Sequence, residues 1–202
     1  MNLFLWSAAG YLCGSLPTGY LVVKALTGKD IRTLGSGNMG GTNVGRVLGK
    51  KWAVFTTVTD MLKGGLLVLL CDFFGGGEHE LALAAFFAVC GHNYPIWLKF
   101  HGGKGVATTL GTLFFVQIWQ SCAAVIAGGL VWYAVMKLSR YVSVASIAAL
   151  LSIAVFFFAM GMPHSFTLLA AALAALSVWR HRANLSRLKE GSENKVGTNP
   201  VK

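Results

Sequence analysis

The sequence predicts an all-α, polytopic membrane protein with seven transmembrane helices, the N-terminus outside and the C-terminus cytoplasmic. Three observations predict it. The chain is 55% hydrophobic and only 12% charged, where soluble domains carry about a quarter charged residues. Its apolar residues form long runs, separated by short polar segments that hold nearly all the charge. Its basic residues fall in alternate segments only.

Spanning a bilayer takes about 20 apolar residues in a helix. Apolar runs lie at residues 3–24, 52–74, 81–98, 103–120, 121–137, 142–162 and 164–180. The first begins at Met1-Asn2-Leu3, which lacks the basic stretch of a cleavable signal, so it reads as a retained helix. The third is interrupted by Gly91-His92-Asn93-Tyr94-Pro95, a helix-breaking stretch. The fourth and fifth are short. They are tilted crossings or a hairpin that enters without crossing, and either leaves the sidedness of the rest unchanged.

Segments 25–51, 99–105, 138–141 and 181–202 fall on one side, and they or the helix ends beside them hold the Lys and Arg residues. The other side has Gly75 to Glu80 and the turns near Gln117 and Met162-Pro163, with no Lys or Arg. Of 17 Lys and Arg residues, only Lys63 lies inside a run rather than at its end. Short basic loops stay cytoplasmic, which sets the orientation. Residues 1–189 read as a single membrane domain. The stretch 190–202 is rich in Gly, Ser, Asn and Lys and is predicted to be a disordered tail.

A net charge of +10 points to anionic partners. Nucleic-acid binders interleave aromatics with basic runs on a soluble surface. Here the aromatics sit inside the apolar runs, so nucleic acid is excluded. Cys13, Cys71, Cys90 and Cys122 form no Cys-x-x-Cys pair and no zinc spacing, and read as small buried apolar groups. No metal site and no cofactor are predicted.

The chemistry-bearing residues cluster in the basic segments. The first reads Gly35-Ser36-Gly37-Asn38-Met39-Gly40-Gly41-Thr42-Asn43-Val44-Gly45-Arg46. Glycines let backbone N–H groups turn inward, and concave N–H nests bind phosphate oxygens. A following helix start and Arg46 would add favourable charge. Gly35-x-Gly37-x-x-Gly40 fits a dinucleotide fingerprint, but that motif needs a preceding strand, so it is set aside. The second cluster is His101-Gly102-Gly103-Lys104-Gly105-Val106-Ala107-Thr108. It fails the nucleotide-loop pattern because Gly105 follows Lys104, yet a lysine between glycines is an anion clamp.

Asp60 and Lys63 lie three residues apart inside the second run, facing a cavity or neutralising one another. His92 reads as part of a helix break, and Ser143 as a helix cap. On a continuing helix, His181 shares a face with Asn184, and Asn184 with Arg187. These groups favour anions but do not choose between an enzyme and a membrane transporter of a phosphate ester. A lipid-binding scaffold explains the basic face but not the clustered glycines.

Taken in order, Gly35-Ser36-Gly37-Asn38-x-Gly40-x-Thr42-Asn43-x-x-Arg46, Asp60-x-x-Lys63-Gly64, Gly91-His92-x-x-Pro95, Gly102 to Thr108, Ser143 and His181-Arg182-x-Asn184-x-x-Arg187-Leu188 resemble the bacterial acyl-phosphate:glycerol-3-phosphate acyltransferases. The resemblance spans about residues 10–195. It implies seven membrane helices in the bacterial inner membrane, with the active site facing the cytoplasm. It implies transfer of a fatty acyl group from acyl phosphate to the 1-hydroxyl of sn-glycerol 3-phosphate, giving lysophosphatidic acid and phosphate. The implied partners are those two substrates and membrane lipids. Ser36, Lys104, His181 and Asn184 are implied as catalytic. Gly37, Asn38, Gly40, Thr42, Asn43, Arg46, Gly102, Gly103, Gly105 and Ser143 are implied to bind substrate. Met39 and Gly41 depart from the family's usual proline and alanine, beside the expected nest.

Overall fold

A computed structural model describes residues 2–196. Among these, every regular element is a helix. The chain divides into two compact units, one ending at Val116 and one starting at Gln117.

The first unit begins with α1 (Leu3–Gly14), whose first turn is capped by the Asn2 side chain, accepting from the N–H groups of Phe4 and Leu5 at 3.0 and 3.3 Å. The single helix expected over 3–24 is broken. Pro17 has no N–H to continue the ladder, so α1 stops at Gly14 and α2 runs from Thr18 to Thr27. A 3-10 turn at Ile31–Thr33 leads into α3 (Gly41–Leu48) and then α4 (Lys50–Phe73). Next come α5 (Glu78–Asn93), a second 3-10 turn (Ile96–Leu98) and α6 (Val106–Phe115). The expected break at Gly91 to Pro95 falls at the end of α5, and α6 is shorter than the apolar run that predicted it.

Small residues hold this unit together. A Cβ on Gly14 would overlap the Ala88 carbonyl of α5, and one on Gly91 would overlap the Tyr11 carbonyl of α1. Gly111 of α6 meets the Met61 carbonyl of α4 in the same way, and Gly64 faces Thr108 and Thr112. Helices surrounded by hydrocarbon gain little by burying more hydrocarbon, so close backbone approach supplies the attraction. α4 is built inside out. It exposes Val54, Phe55, Val58, Leu62, Leu66 and Leu70 and buries Thr56, Asp60, Lys63, Gly64 and Gly65, with Leu67, Val68 and Cys71 buried in its last turns. A soluble helix has the opposite arrangement. Beneath α2, a separate apolar cluster of Val23, Ile31, Met39, Val44 and Leu98 anchors the first glycine-rich loop.

The second unit holds α7 (Ile118–Ser139), α8 (Val142–Ala159), α9 (His164–Arg180) and α10 (Arg182–Lys189). Gly128 of α7 lies against Ile153 of α8, and Trp132 Nε1 donates to Ser146 Oγ at 3.4 Å. Among the described residues, four helical segments are long and apolar enough to cross a membrane: Lys50–Phe73, Glu78–Leu98, Ile118–Ser139 and Val142–Ala159.

The segment expected as a tail is described as far as Val196. Gly191 reverses the chain at φ +72°, and the Val196 N–H donates to the Arg140 carbonyl at 2.9 Å while Arg140 Nε donates to the Val196 carbonyl at 3.1 Å. A polar composition here marks a docked segment, because Arg140, Asn184 and Arg187 offer donors for it. Residues 197–202 of that expectation lie outside the described residues.

Glycine contacts separate structural from permissive positions. Gly14→Ala should lower thermal stability in detergent by about 1–3 kcal/mol, because the added methyl meets backbone that cannot yield. Gly129→Ala, with open space around it, should leave stability unchanged or raise it by about 0.5–1 kcal/mol. Melting curves of the two variants beside the parent chain check this.

Candidate active site

The first glycine-rich loop is braced from within. Asn43 is buried, and its side chain closes the loop: Nδ2 donates to the Leu34 carbonyl at 2.9 Å and Oδ1 accepts the Ser36 N–H at 2.9 Å. The Gly37 N–H donates to the Leu34 carbonyl at 3.0 Å, and the Gly40 N–H to Asn38 Oδ1 at 2.9 Å. Gly35 and Gly37 take left-handed φ values of +56° and +70°, which side chains disfavour. The N–H groups of Ser36, Gly37 and Gly40 are turned into the loop rather than into an open nest. Asn38 and Asn43, expected on substrate, spend their side-chain oxygens on the loop's own backbone. What the bracing presents outward is side chains, with Ser36, Thr42 and Arg46 all exposed.

Met39, the departure from the family's usual proline, is buried in the apolar cluster. Its carbonyl meets Gly19 of α2, where a Cβ has no room. Gly41 lies against Thr57 and the Ala53 carbonyl of α4, so the start of α3 is pinned as well.

Arg32, absent from the predicted site, joins the two loops of this unit. Its guanidinium pairs with Asp30 at 2.7 Å, donates to the Leu98 carbonyl at 3.4 Å, and lies over the Tyr20 ring at 5.7 Å. Its hydrogen bond to Asp30 holds that carboxyl below the usual aspartate range, against the opposing effect of burial.

The second loop follows two strained residues. Lys99 and Phe100 both take left-handed conformations, with φ of +52° and +63°, at a cost of about 1–2 kcal/mol each. The Gly103 N–H donates to the His92 carbonyl at 3.1 Å. A Cβ on Gly102 would strike that carbonyl and Pro95, and one on Gly105 would come within 2.7 Å of Asn93 Oδ1. These glycines are required for close packing on the end of α5. They present half-buried Lys104 at the start of α6. Asn93 is fully buried, and neither of its side-chain polar atoms has a hydrogen-bond partner among the described residues.

In the second unit, α9 does not continue through His181 as expected. It ends there, at φ −93° and ψ 3°, and α10 restarts at Arg182. The His181 side chain is buried with Nδ1 2.8 Å from the Ser177 carbonyl. We assign the Nδ1–H tautomer from that contact, which leaves Nε2 of the neutral ring as an acceptor. Ser143, Asn184 and Arg187 do come together, but on a residue the sequence did not single out. Ser143 Oγ donates to Glu193 Oε1 at 3.0 Å, Asn184 Nδ2 donates to the same oxygen at 2.6 Å, and Arg187 Nε pairs with Oε2 at 2.9 Å. An acid following a glycine turn after a basic helix was the signal available for it.

The sequence comparisons bear on what these groups serve. The family model for glycerol-3-phosphate acyltransferase matches residues 4–191. The chain is 43% identical over 196 residues to the glycerol-3-phosphate acyltransferase of Carboxydothermus hydrogenoformans, covering 97% of each chain. It belongs to the glycerol-3-phosphate acyltransferase family. The Aquifex aeolicus member is 41% identical, over 92% of this chain and 94% of its own. Among solved structures, PlsY (YgiH), an integral membrane glycerol 3-phosphate acyltransferase in its glycerol 3-phosphate form, superposes with a TM-score of 0.90. It is 38% identical, over 97% of this chain and 96% of that one. Its lysophosphatidic acid form gives 0.87 at 36% identity. The acyltransferase family membership supports an enzyme, not the phosphate-ester transporter that the residues alone left open.

Burial pushes the Glu193 carboxyl up, but the hydrogen bonds from Asn184, Ser143 and Arg187 outweigh it and hold the group below the usual glutamate range. A depressed folded-state value stabilises docking above the ordinary glutamate pKa and loses that contribution as pH falls through the lowered value. Hydrogen exchange at residues 190–196, corrected for its intrinsic pH dependence, should therefore rise in acid. Glu193→Gln should exchange fast at neutral pH and show little further change.

Proposed function

We propose that this chain transfers a fatty acyl group from acyl phosphate to the 1-hydroxyl of sn-glycerol 3-phosphate, giving lysophosphatidic acid and phosphate. One observation carries the reading: near-complete likeness, at 38% identity, to a membrane enzyme solved in glycerol 3-phosphate and lysophosphatidic acid forms. The family model also runs across both compact units, which supports treating 1–189 as one functional domain.

An acyl phosphate is a mixed anhydride with a good leaving group. The hydroxyl oxygen forms a bond to the acyl carbon, the carbon–oxygen bond to phosphate breaks, and the hydroxyl proton passes to a base. Two anionic substrates repel each other, so cations and donors lower the barrier, and fixed orientation supplies much of the rate. In the first unit we assign Ser36, Thr42 and Arg46, on the braced loop, and Lys104, on the glycine hairpin, to holding phosphate. Gly37, Asn38, Gly40, Asn43, Gly102, Gly103 and Gly105 shape those two loops. In the second unit we assign Ser143 and Asn184 to the same reaction. The acceptor nitrogen of His181 or the leaving phosphate takes the proton.

We further propose seven crossings of the bacterial inner membrane, with the N-terminus outside and the reaction at the cytoplasmic face. The one-sided Lys and Arg distribution supports this. The runs at 3–24, 103–120 and 164–180, which form shorter helices, supply the crossings beyond the four long apolar segments.

Phosphate release by the purified chain should require both acyl phosphate and glycerol 3-phosphate. Ser36→Ala and Lys104→Ala should each lower the rate roughly 10²-fold or more; full activity in either would remove that residue from the site. Orientation is tested by single cysteines in a chain freed of Cys13, Cys71, Cys90 and Cys122. A membrane-impermeant thiol reagent added to intact cells should label Glu78→Cys and spare Ser36→Cys, and the reverse pattern would invert the topology.

A further inference from the structure

Lys63 is the basic residue inside a span, and the reaction as assigned above gives it no part. An ammonium group carries three protons and no acceptor. Three groups surround this one: Asp60 Oδ1, its ion-pair partner at 2.8 Å, and two acceptors, the Leu16 carbonyl at 2.8 Å and His92 Nδ1 at 3.0 Å. Leu16 lies in the break between α1 and α2, where carbonyls lose helical donors. Asp60 Oδ1 also lies 3.6 Å from His92 Nδ1. A charged Lys63 that donates to Nδ1 makes that nitrogen the acceptor, so the neutral ring carries its hydrogen on Nε2.

The Nε2 edge faces the second glycine loop. A Cβ on Gly103 would land on His92 Nε2, with Cδ2 and Cε1 each at 2.9 Å. The main chain of His92 holds the same loop, its carbonyl accepting the Gly103 N–H at 3.1 Å and crowding Gly102. Ring and carbonyl together form the seat of Gly102-Gly103, and Lys104 is the next residue. The Asp60, Lys63 and His92 side chains are only 3–5% exposed. Apolar side chains of similar volume would fill such a site without the desolvation a buried ion pair incurs. The ion pair instead meets the residue on which the loop rests.

We propose that Asp60, Lys63 and His92 form a positioning triad: Asp60 and Lys63 fix the imidazole plane, and the imidazole sets the course of Gly102-Gly103 and so the aim of Lys104 at a phosphate-bearing substrate. This rests on the assignment of Lys104 to phosphate. The triad acts through the loop, so its loss weakens binding of glycerol 3-phosphate more than it slows the bound complex.

The test measures phosphate release by the full-length chain in detergent, at saturating acyl phosphate and varied glycerol 3-phosphate, on preparations that elute as a single species. Asp60→Asn, Lys63→Met and His92→Ala should each raise KM for glycerol 3-phosphate about tenfold or more, with kcat changed less than about threefold. Where a single charge removal leaves no folded protein, Asp60→Leu/Lys63→Met removes both charges together and should show the same KM rise. Gly103→Ala with His92→Ala gives a separate arm. A methyl at Gly103 needs the space of the ring, so the double variant should match His92→Ala within about twofold. Unchanged KM in folded variants, a kcat loss at constant KM, or multiplied effects of Gly103→Ala and His92→Ala would each overturn the triad. A parent chain whose rate ignores glycerol 3-phosphate would instead refute the functional reading.

Discussion

Hydrocarbon offers no partner to a charge, so an ionic group on a spanning helix is costly unless it is met from within the chain. α4 shows how this constraint shapes the protein. Many of its apolar residues face outward, and its mid-helix charges Asp60 and Lys63 face inward, where the Lys63 ammonium finds Asp60, Leu16 and His92. Those partners come from α4 itself, from the break after α1 and from α5. Satisfying one buried cation therefore ties three parts of the first unit together. The glycine contacts serve the same end by a different force, bringing backbones close enough for packing to replace the hydrophobic effect.

The proposed assignment gives anion handling to side chains held by ordered loops more than to exposed backbone. The first loop uses the Asn43 amide and three of its own N–H groups for bracing, which leaves Ser36, Thr42 and Arg46 as its outward polar groups. The second loop is wedged against His92, Pro95 and Asn93. In both, glycine serves close approach and left-handed turns. That suits two anionic reactants, because a rigid array of donors needs no reorganisation when charge develops on them. In the second unit Glu193 gathers Ser143, Asn184 and Arg187 onto a single carboxylate, a bound anion supplied by the chain itself.

Much of the fold was legible because its signals are local. Apolar runs marked where α4, α5, α7, α8 and α9 lie, since run length and hydropathy need no knowledge of neighbours. The break at Pro17 was hidden inside an apolar run, because one proline weighs little against a dozen hydrophobic residues in a composition reading. Glu190 to Val196 read as disordered from polarity, although Arg140, Asn184 and Arg187 lie ready to dock it. Among the candidate site residues, Ser36, Arg46 and Lys104 stand out by glycine spacing and charge. The inward turn of Asn43 was not, because an amide can serve substrate or backbone equally well in sequence.

By itself, the order of residues determined the helical class, the alternation of basic with uncharged segments and the motifs that mark the family, because these depend on which residue follows which. Tertiary structure decided which polar groups are already engaged: Asn43 with its loop, Ser143 and Asn184 with Glu193, Lys63 with His92. Each of those contacts, spanning 7 to 50 residues of chain, is a choice among several possible acceptors. Only the folded path of the backbone determines which of them comes within hydrogen-bonding distance.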